Sequence, residues 1–152
     1  MALKAGSVFG ISTSKGEAYF QYVKKIAPMG TLIRVLPGIY PDGHQNLELL
    51  VEQETNFWIF FPVTAALRHG VIRLAAHCEI PDHAQKTPLF RAGVVDPVIG
   101  KVKTWWLWDG EKEWKVGSIS EEQRKLPIRG AWNDTLLVER IESDWLPEKD
   151  ER

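Results

Sequence analysis

Cysteine is nearly absent from this sequence: Cys78 stands alone among 152 residues. One thiol cannot close an internal disulfide, so no covalent framework is expected. None is needed, because a chain of about 150 residues buries roughly 68–70% of its unfolded surface. Strong charge of either sign is also lacking. Nineteen Lys and Arg against 20 Asp and Glu leave a formal −1, which argues against direct nucleic-acid binding, since that needs a basic surface to displace phosphate counterions. Long apolar runs are missing too. The most apolar stretch, Phe57 to Phe61, stops at Pro62 and is far too short to cross a bilayer. Met1 to Ile11 shows no basic segment leading into a long apolar one, so no signal peptide is expected. A cytoplasmic protein with no membrane partner is the expectation. No linker, repeat or low-complexity segment interrupts the chain, so residues 1–152 are expected to form a single domain, with the charged residues 147–152 as a frayed tail.

Signatures of chemistry are equally sparse. There is no Gly-x-Ser-x-Gly elbow, no Gly-x-x-x-x-Gly-Lys-Ser/Thr loop and no Gly-x-Gly-x-x-Gly turn. His77, Cys78, Asp82 and His83 lie close together, but His77 and Cys78 are neighbours on a predicted strand and point to opposite faces. They would not ligate one ion, so neither metal nor cofactor is expected. Cys78 is in register with Ile72, Leu74, Ala76 and Ile80, which predicts a buried, inert thiol rather than a nucleophile. The expectation is a protein without catalytic residues.

What the chain does have is tryptophan. Seven are present, and five of them fall between Trp105 and Trp132. Around them the pattern reads as short strands and turns. Val8 to Ile11, Glu17 to Ile26 and Thr31 to Leu36 form a predicted meander, with turns at Ser14–Gly16 and Pro28–Gly30. Asn46 to Glu54 has helical spacing, Phe57 to Phe61 reads as a buried strand, and Thr64 is a candidate N-cap for a helical turn ending before Gly70. Val71 to Ile80 alternates like a half-buried strand, and Pro81 and Pro88 bracket an exposed loop. Lys101 to Trp108 alternates as one strand, Asp109-Gly110 is a turn, and Glu113 to Val116 returns. Ser120 and Gln123 match a capping box for a helix from Glu121 to about Leu126. Asn133-Asp134 starts a last helix with Leu137, Val138, Ile141 and Trp145 as its apolar stripe. The whole predicts an α+β fold, mainly antiparallel β. It would be a twisted sheet or partly open barrel of about six to eight strands with two or three short helices, the last one C-terminal.

The tryptophans divide on this reading. Trp58, Trp132 and Trp145 read as core or helix-packing residues. Trp105, Trp106, Trp108 and Trp114 share one hairpin, with Trp106 and Trp108 on a common face. Either the C-terminal helix covers its second face, or that face meets a partner, since Trp is enriched in binding hot spots. Asp109, Glu111 and Glu113 place carboxylates beside these rings. They are either an ordinary solvated turn or part of a partner surface.

Several segments resemble the immunity protein 26 family of bacterial toxin–immunity systems. Lys4-Ala5-Gly6-Ser7-Val8-Phe9-Gly10-Ile11, followed by Gly16 to Val23, is similar to its N-terminal signature. Trp105-Trp106-Leu107-Trp108-Asp109-Gly110 is similar to its second block, and Leu136 to Ile141 to the segment near its C-terminus. The tail after Trp145 is longer than the pattern. The resemblance implies an immunity protein that neutralises a cognate toxin, such as a nuclease, by direct binding without catalysis. The partner-binding candidates are then Trp105, Trp106, Trp108, Asp109, Glu111, Glu113 and Trp114. A small β-rich ligand- or peptide-binding module, or an enzyme of another kind, are the alternative classes; oligomeric state is open.

Overall fold

The computed structural model describes residues 3–44 and 46–152. Met1 and Ala2, part of the N-terminal stretch read above, lie outside it. The chain is α+β and mostly antiparallel, with no closed barrel. Among the described residues it has ten strands and five short α-helices, more of both than the sequence pattern predicts. The excess comes from elements of two to four residues, too short to show a period.

The predicted meander is present. β1 (Ser7–Thr13), β2 (Gly16–Ile26) and β3 (Gly30–Val35) pair in sequence order. β4 (Phe57–Phe60) joins β3, and β5 (Ile72–His77) joins β1, giving a five-stranded sheet in the order β4-β3-β2-β1-β5. Phe9, Phe20, Ile33 and Ile59 alternate onto one face and build the largest core cluster. On the opposite face, Val8 and Tyr19 meet Leu50 and Val51 of α1 (Leu47–Glu52), whose N-cap Asn46 accepts from the Leu49 N–H at 3.1 Å. With both faces covered, β1 to β4 read as near-continuous apolar runs, the pattern of a sheet buried on both sides.

α2 (Val63–Arg68) starts one residue before Thr64, with Pro62 rather than Thr64 at the N-cap position. β5 departs from its predicted alternation. The register against β1 shifts so that Val8 meets Ala76 and Phe9 meets Leu74, leaving Ala75 as an extra residue. Ile72 and Leu74 therefore share the face of Phe9 and Ile11, while Ala76 and Cys78 move to the opposite face with Val8; Ile72 and Cys78 are buried and Leu74 is exposed. The expected loop after Pro81 contains a helical turn, α3 (Asp82–Gln85), anchored by the buried Ala84.

A second, three-stranded sheet runs β10-β9-β6, from β6 (Phe90–Ala92), β9 (Trp105–Trp108) and β10 (Glu113–Gly117). The predicted strand Lys101 to Trp108 is broken at Lys103-Thr104. Its first part, β8 (Lys101–Val102), pairs instead with β7 (Val95–Asp96) in a separate hairpin. Gly93 permits that hairpin: a Cβ there would lie 2.3 Å from Val102 Cγ1. Residues 127–132 stitch the two sheets together. The Arg91 N–H donates to the Pro127 carbonyl at 2.9 Å, and the Trp132 N–H donates to the Phe60 carbonyl at 3.0 Å. Phe60, Phe90 and Trp108 fill the space between, with Phe60 and Phe90 stacked at 5.5 Å.

α4 (Glu121–Arg124) carries the predicted capping box, Ser120 with Gln123. α5 (Asp134–Glu142) starts at the predicted cap, Asn133. Leu137 and Ile141 bury against the five-stranded sheet, and Trp145 follows beyond the helix end, edge-on to Trp132 at 4.9 Å. α5 therefore packs on the large sheet and not over the tryptophan hairpin. The expected frayed tail is instead docked. Pro147–Lys149 forms a 3-10 turn, Pro147 is buried, and the Pro147 and Asp150 carbonyls accept from Arg91 Nη2 at 2.7 Å and Arg124 Nη2 at 2.9 Å. Apolar periodicity does not register such an anchor, because it consists of main-chain acceptors for arginines far away in sequence.

Candidate functional site

The Asp109-Gly110 turn holds the tryptophan hairpin in place. Asp109 Oδ1 accepts from the N–H groups of Glu111 at 2.9 Å and Lys112 at 2.8 Å, which closes the turn. These two backbone N–H bonds, Lys112 first, hold the Asp109 carboxyl below its usual range. Gly110 sits at φ +103, a backbone conformation that glycine adopts without strain. β9 and β10 then pair Trp108 with Glu113, Leu107 with Trp114 and Trp106 with Lys115.

The seven candidate residues do not form one surface. Trp105 is buried, with the Arg91 guanidinium 4.5 Å from its ring centroid. Trp108 is buried against Phe60 and Phe90, and Arg129 covers it at 5.3 Å. Trp106 and Trp114 are 36% and 42% exposed, and alternation places them on opposite faces of the small sheet. Trp106 and Trp108 do share a face, but Phe60 and Phe90 cover only Trp108. The carboxylates also separate. Asp109 closes the turn, Glu113 is ion-paired with Arg129 at 2.8 Å, and Glu111 lines a different hollow beside Ile26 and Thr87. Trp58 and Trp132, expected as core or helix-packing residues, are partly buried and pack against core clusters, and Trp145 is buried.

Trp106 opens onto a groove of about 500 Å³. Val94 and Val95 line it together with two ion pairs, Lys103 with Asp96 at 2.9 Å and Arg129 with Glu113 at 2.8 Å. The Lys103 contact, with the Val98 N–H, keeps the Asp96 carboxyl below its ordinary range. The β7–β8 hairpin forming one wall carries Val94 and Val98 nearly fully exposed, at 88% and 89%, and Ile99 at 53%. Sequence reasoning missed these residues. The available signal was Val98-Ile99 between Pro97 and Gly100, two β-branched apolar residues where a turn should be polar.

Among the described residues no three His, Cys, Asp or Glu gather as a metal-ligand group. Burial, with a smaller contribution from Glu48, pushes the Cys78 thiol above its usual value, which favours the unreactive protonated form. No helix among the described residues is long and apolar enough to cross a membrane. Comparison with protein-family models, with curated proteins and with solved structures found no match.

Proposed function

We propose that this chain is an immunity protein that neutralises a cognate bacterial toxin in the cytoplasm by direct binding, without catalysis. The observation that carries the reading is the exposure of Val94, Val98 and Ile99 on and beside the β7–β8 hairpin, where Val94 lines the groove with Trp106. Exposed apolar side chains on one short hairpin, with a half-exposed indole in the groove that the hairpin walls, favour a protein partner, because their burial supplies driving force and the indole an anchor. The family resemblance supports the same class. An inhibitor of this kind needs about −12 kcal/mol for nanomolar affinity and an interface of roughly 1,600 Å², much larger than the groove alone. An acidic mimic of nucleic acid is less favoured, since Glu113 and Asp96 already have cationic partners.

The test is co-expression with the product of the neighbouring gene. A toxic neighbour is expected to be tolerated and to co-purify with this chain. The double substitution Val98→Asp, Ile99→Asp should abolish both effects and leave the melting temperature unchanged. Capture that survives this change together with Trp106→Ala would overturn the reading. The groove also has the volume of a small-ligand or peptide site; binding of a short peptide in place of a folded toxin would favour that second reading.

A further inference from the structure

The small sheet has one covered edge and one open edge. On the β6 side, residues 127–129 bond to Arg91 and occupy the edge. On the other side β10 is terminal, and Glu113, Trp114 and Lys115 are all exposed. The Asp109 N–H donates to the Lys112 carbonyl at 3.1 Å across the turn. Antiparallel alternation then makes Leu107 and Trp114 the next hydrogen-bonded pair, so Glu113 and Lys115 direct their N–H and C=O groups away from β9. That row of outward groups is a template for another strand.

We propose that the occupant is a second copy of this chain, with β10 pairing antiparallel to itself about Trp114 on a two-fold axis. The charge pattern selects this partner. In that register Glu113 faces Lys115 of the partner subunit, and Lys115 faces Glu113 of the partner subunit. A lysine on an edge strand ordinarily prevents pairing; in this register it faces Glu113, whose carboxylate is shared with Arg129 at 2.8 Å. The two Trp114 rings meet as a non-hydrogen-bonded pair, the closer of the two antiparallel spacings, and this covers the exposed indole. The register shift between Lys115 and Gly117 ends the pairable stretch. With the β6 edge already occupied, the assembly closes as a dimer instead of growing. Glu113 also lines the groove at Trp106 through its Arg129 pair, so the two contacts share that residue, whereas Trp114, Lys115 and the β10 edge lie outside the groove and the inference does not rest on the toxin reading.

Sedimentation of the full chain over a concentration series tests it. The wild type should show a dilution-dependent dimer. Glu113→Lys and Lys115→Glu should each weaken association by about tenfold or more, because like charges then face each other. Mixed together, the two variants should form a 1:1 heterodimer, since each carries the complement of the other. Glu113→Lys also breaks the Arg129 pair, so a crosslink provides an independent check. Trp114→Cys should join two copies under mild oxidation, whereas Trp106→Cys should not; Cys78 is buried and does not compete. A wild type monomeric throughout, single variants that dimerise normally, a mixture that stays apart, or no Trp114→Cys crosslink would each overturn the proposal.

Discussion

Arg34 and Arg91 are both completely buried, one in each sheet, and their surroundings differ sharply. Arg34, in β3, is fully engaged. Nε donates to Thr55 Oγ1, Nη1 to Gln21 Oε1 and the Val51 carbonyl, and Nη2 to the Gln53 carbonyl, at 2.7 to 3.0 Å. Gln21 continues the network to the Gly6 and Cys78 carbonyls. Arg91, in β6, makes one hydrogen bond, to the Pro147 carbonyl, and stacks on Trp105; Nε and Nη1 have no partner among the described residues. Burial lowers both guanidinium pKa values to about 10. Glu52 opposes the shift at Arg34, whereas Arg124 adds to it at Arg91. The five-stranded sheet holds an arginine whose donors are all engaged. The small sheet is completed only by a docked tail on one side and is open on the other, and that is where surface remains for partners.

The largest expected effect tests this contrast directly. Arg34→Met strands acceptors on three elements and should cost about 3–5 kcal/mol in urea unfolding. Arg91→Met loses one bond, the stacking on Trp105 and the attraction to Asp150 and Glu148, but removes two orphaned donors and the repulsion from Arg124 and Arg152, so its cost should be smaller, about 1–2 kcal/mol. Equal losses in the two variants would mean that the hydrogen-bond count does not separate the two sites.

Next in size is removal of the tail after Leu146. It removes the acceptors of Arg91 and Arg124 and the buried Pro147, and should cost about 1–3 kcal/mol. A frayed segment would cost nothing, so the same unfolding measurement decides between the docked tail and the sequence expectation.

The tail shows why parts of this fold could not be read from the chain. Local chemistry was legible. The meander, the Asp109-Gly110 turn, the Ser120–Gln123 box and the Asn133 cap are each set by residues within a few positions of one another. Features that depend on distant partners were not. Nothing near Arg91 in sequence announces that Pro147 will supply its acceptor, and nothing in the alternation around Val71 to Ile80 reveals the extra residue at Ala75. The candidate site divides in the same way. Parity correctly pairs Trp106 with Trp108 on one face, but their different exposure is decided by Phe60 and Phe90 from other strands.

A pH effect of smaller size comes from Asp150. Burial pushes its carboxyl up, but the Arg152 N–H and Nε bonds and the charges of Arg152 and Arg91 outweigh that, and the net shift is downward. A depressed carboxylate contributes stability above its unfolded pKa, about 3.9, and loses it as pH falls through the folded value. Asp150→Asn should therefore be less stable than wild type at pH 7, with the gap closing under acid conditions. A gap independent of pH would assign the loss to the backbone of the tail instead of to the charge.

The smallest effects on stability fall on the residues given the largest role in binding. Trp106 and Trp114 each keep over a third of their surface in solvent, so replacing either by alanine should lower stability by about 1 kcal/mol or less. They lie on opposite faces of the same two strands, and this separates the two proposals. Trp106→Ala should weaken capture of a toxin and leave self-association unchanged. Trp114→Ala should weaken the dimer and leave toxin capture unchanged at concentrations where both proteins are monomeric. Loss of both properties in both variants would show that the two faces act as one, through a hairpin whose pairing either indole helps to hold. The open sheet would then be a marginally stable element instead of a surface with two separate uses.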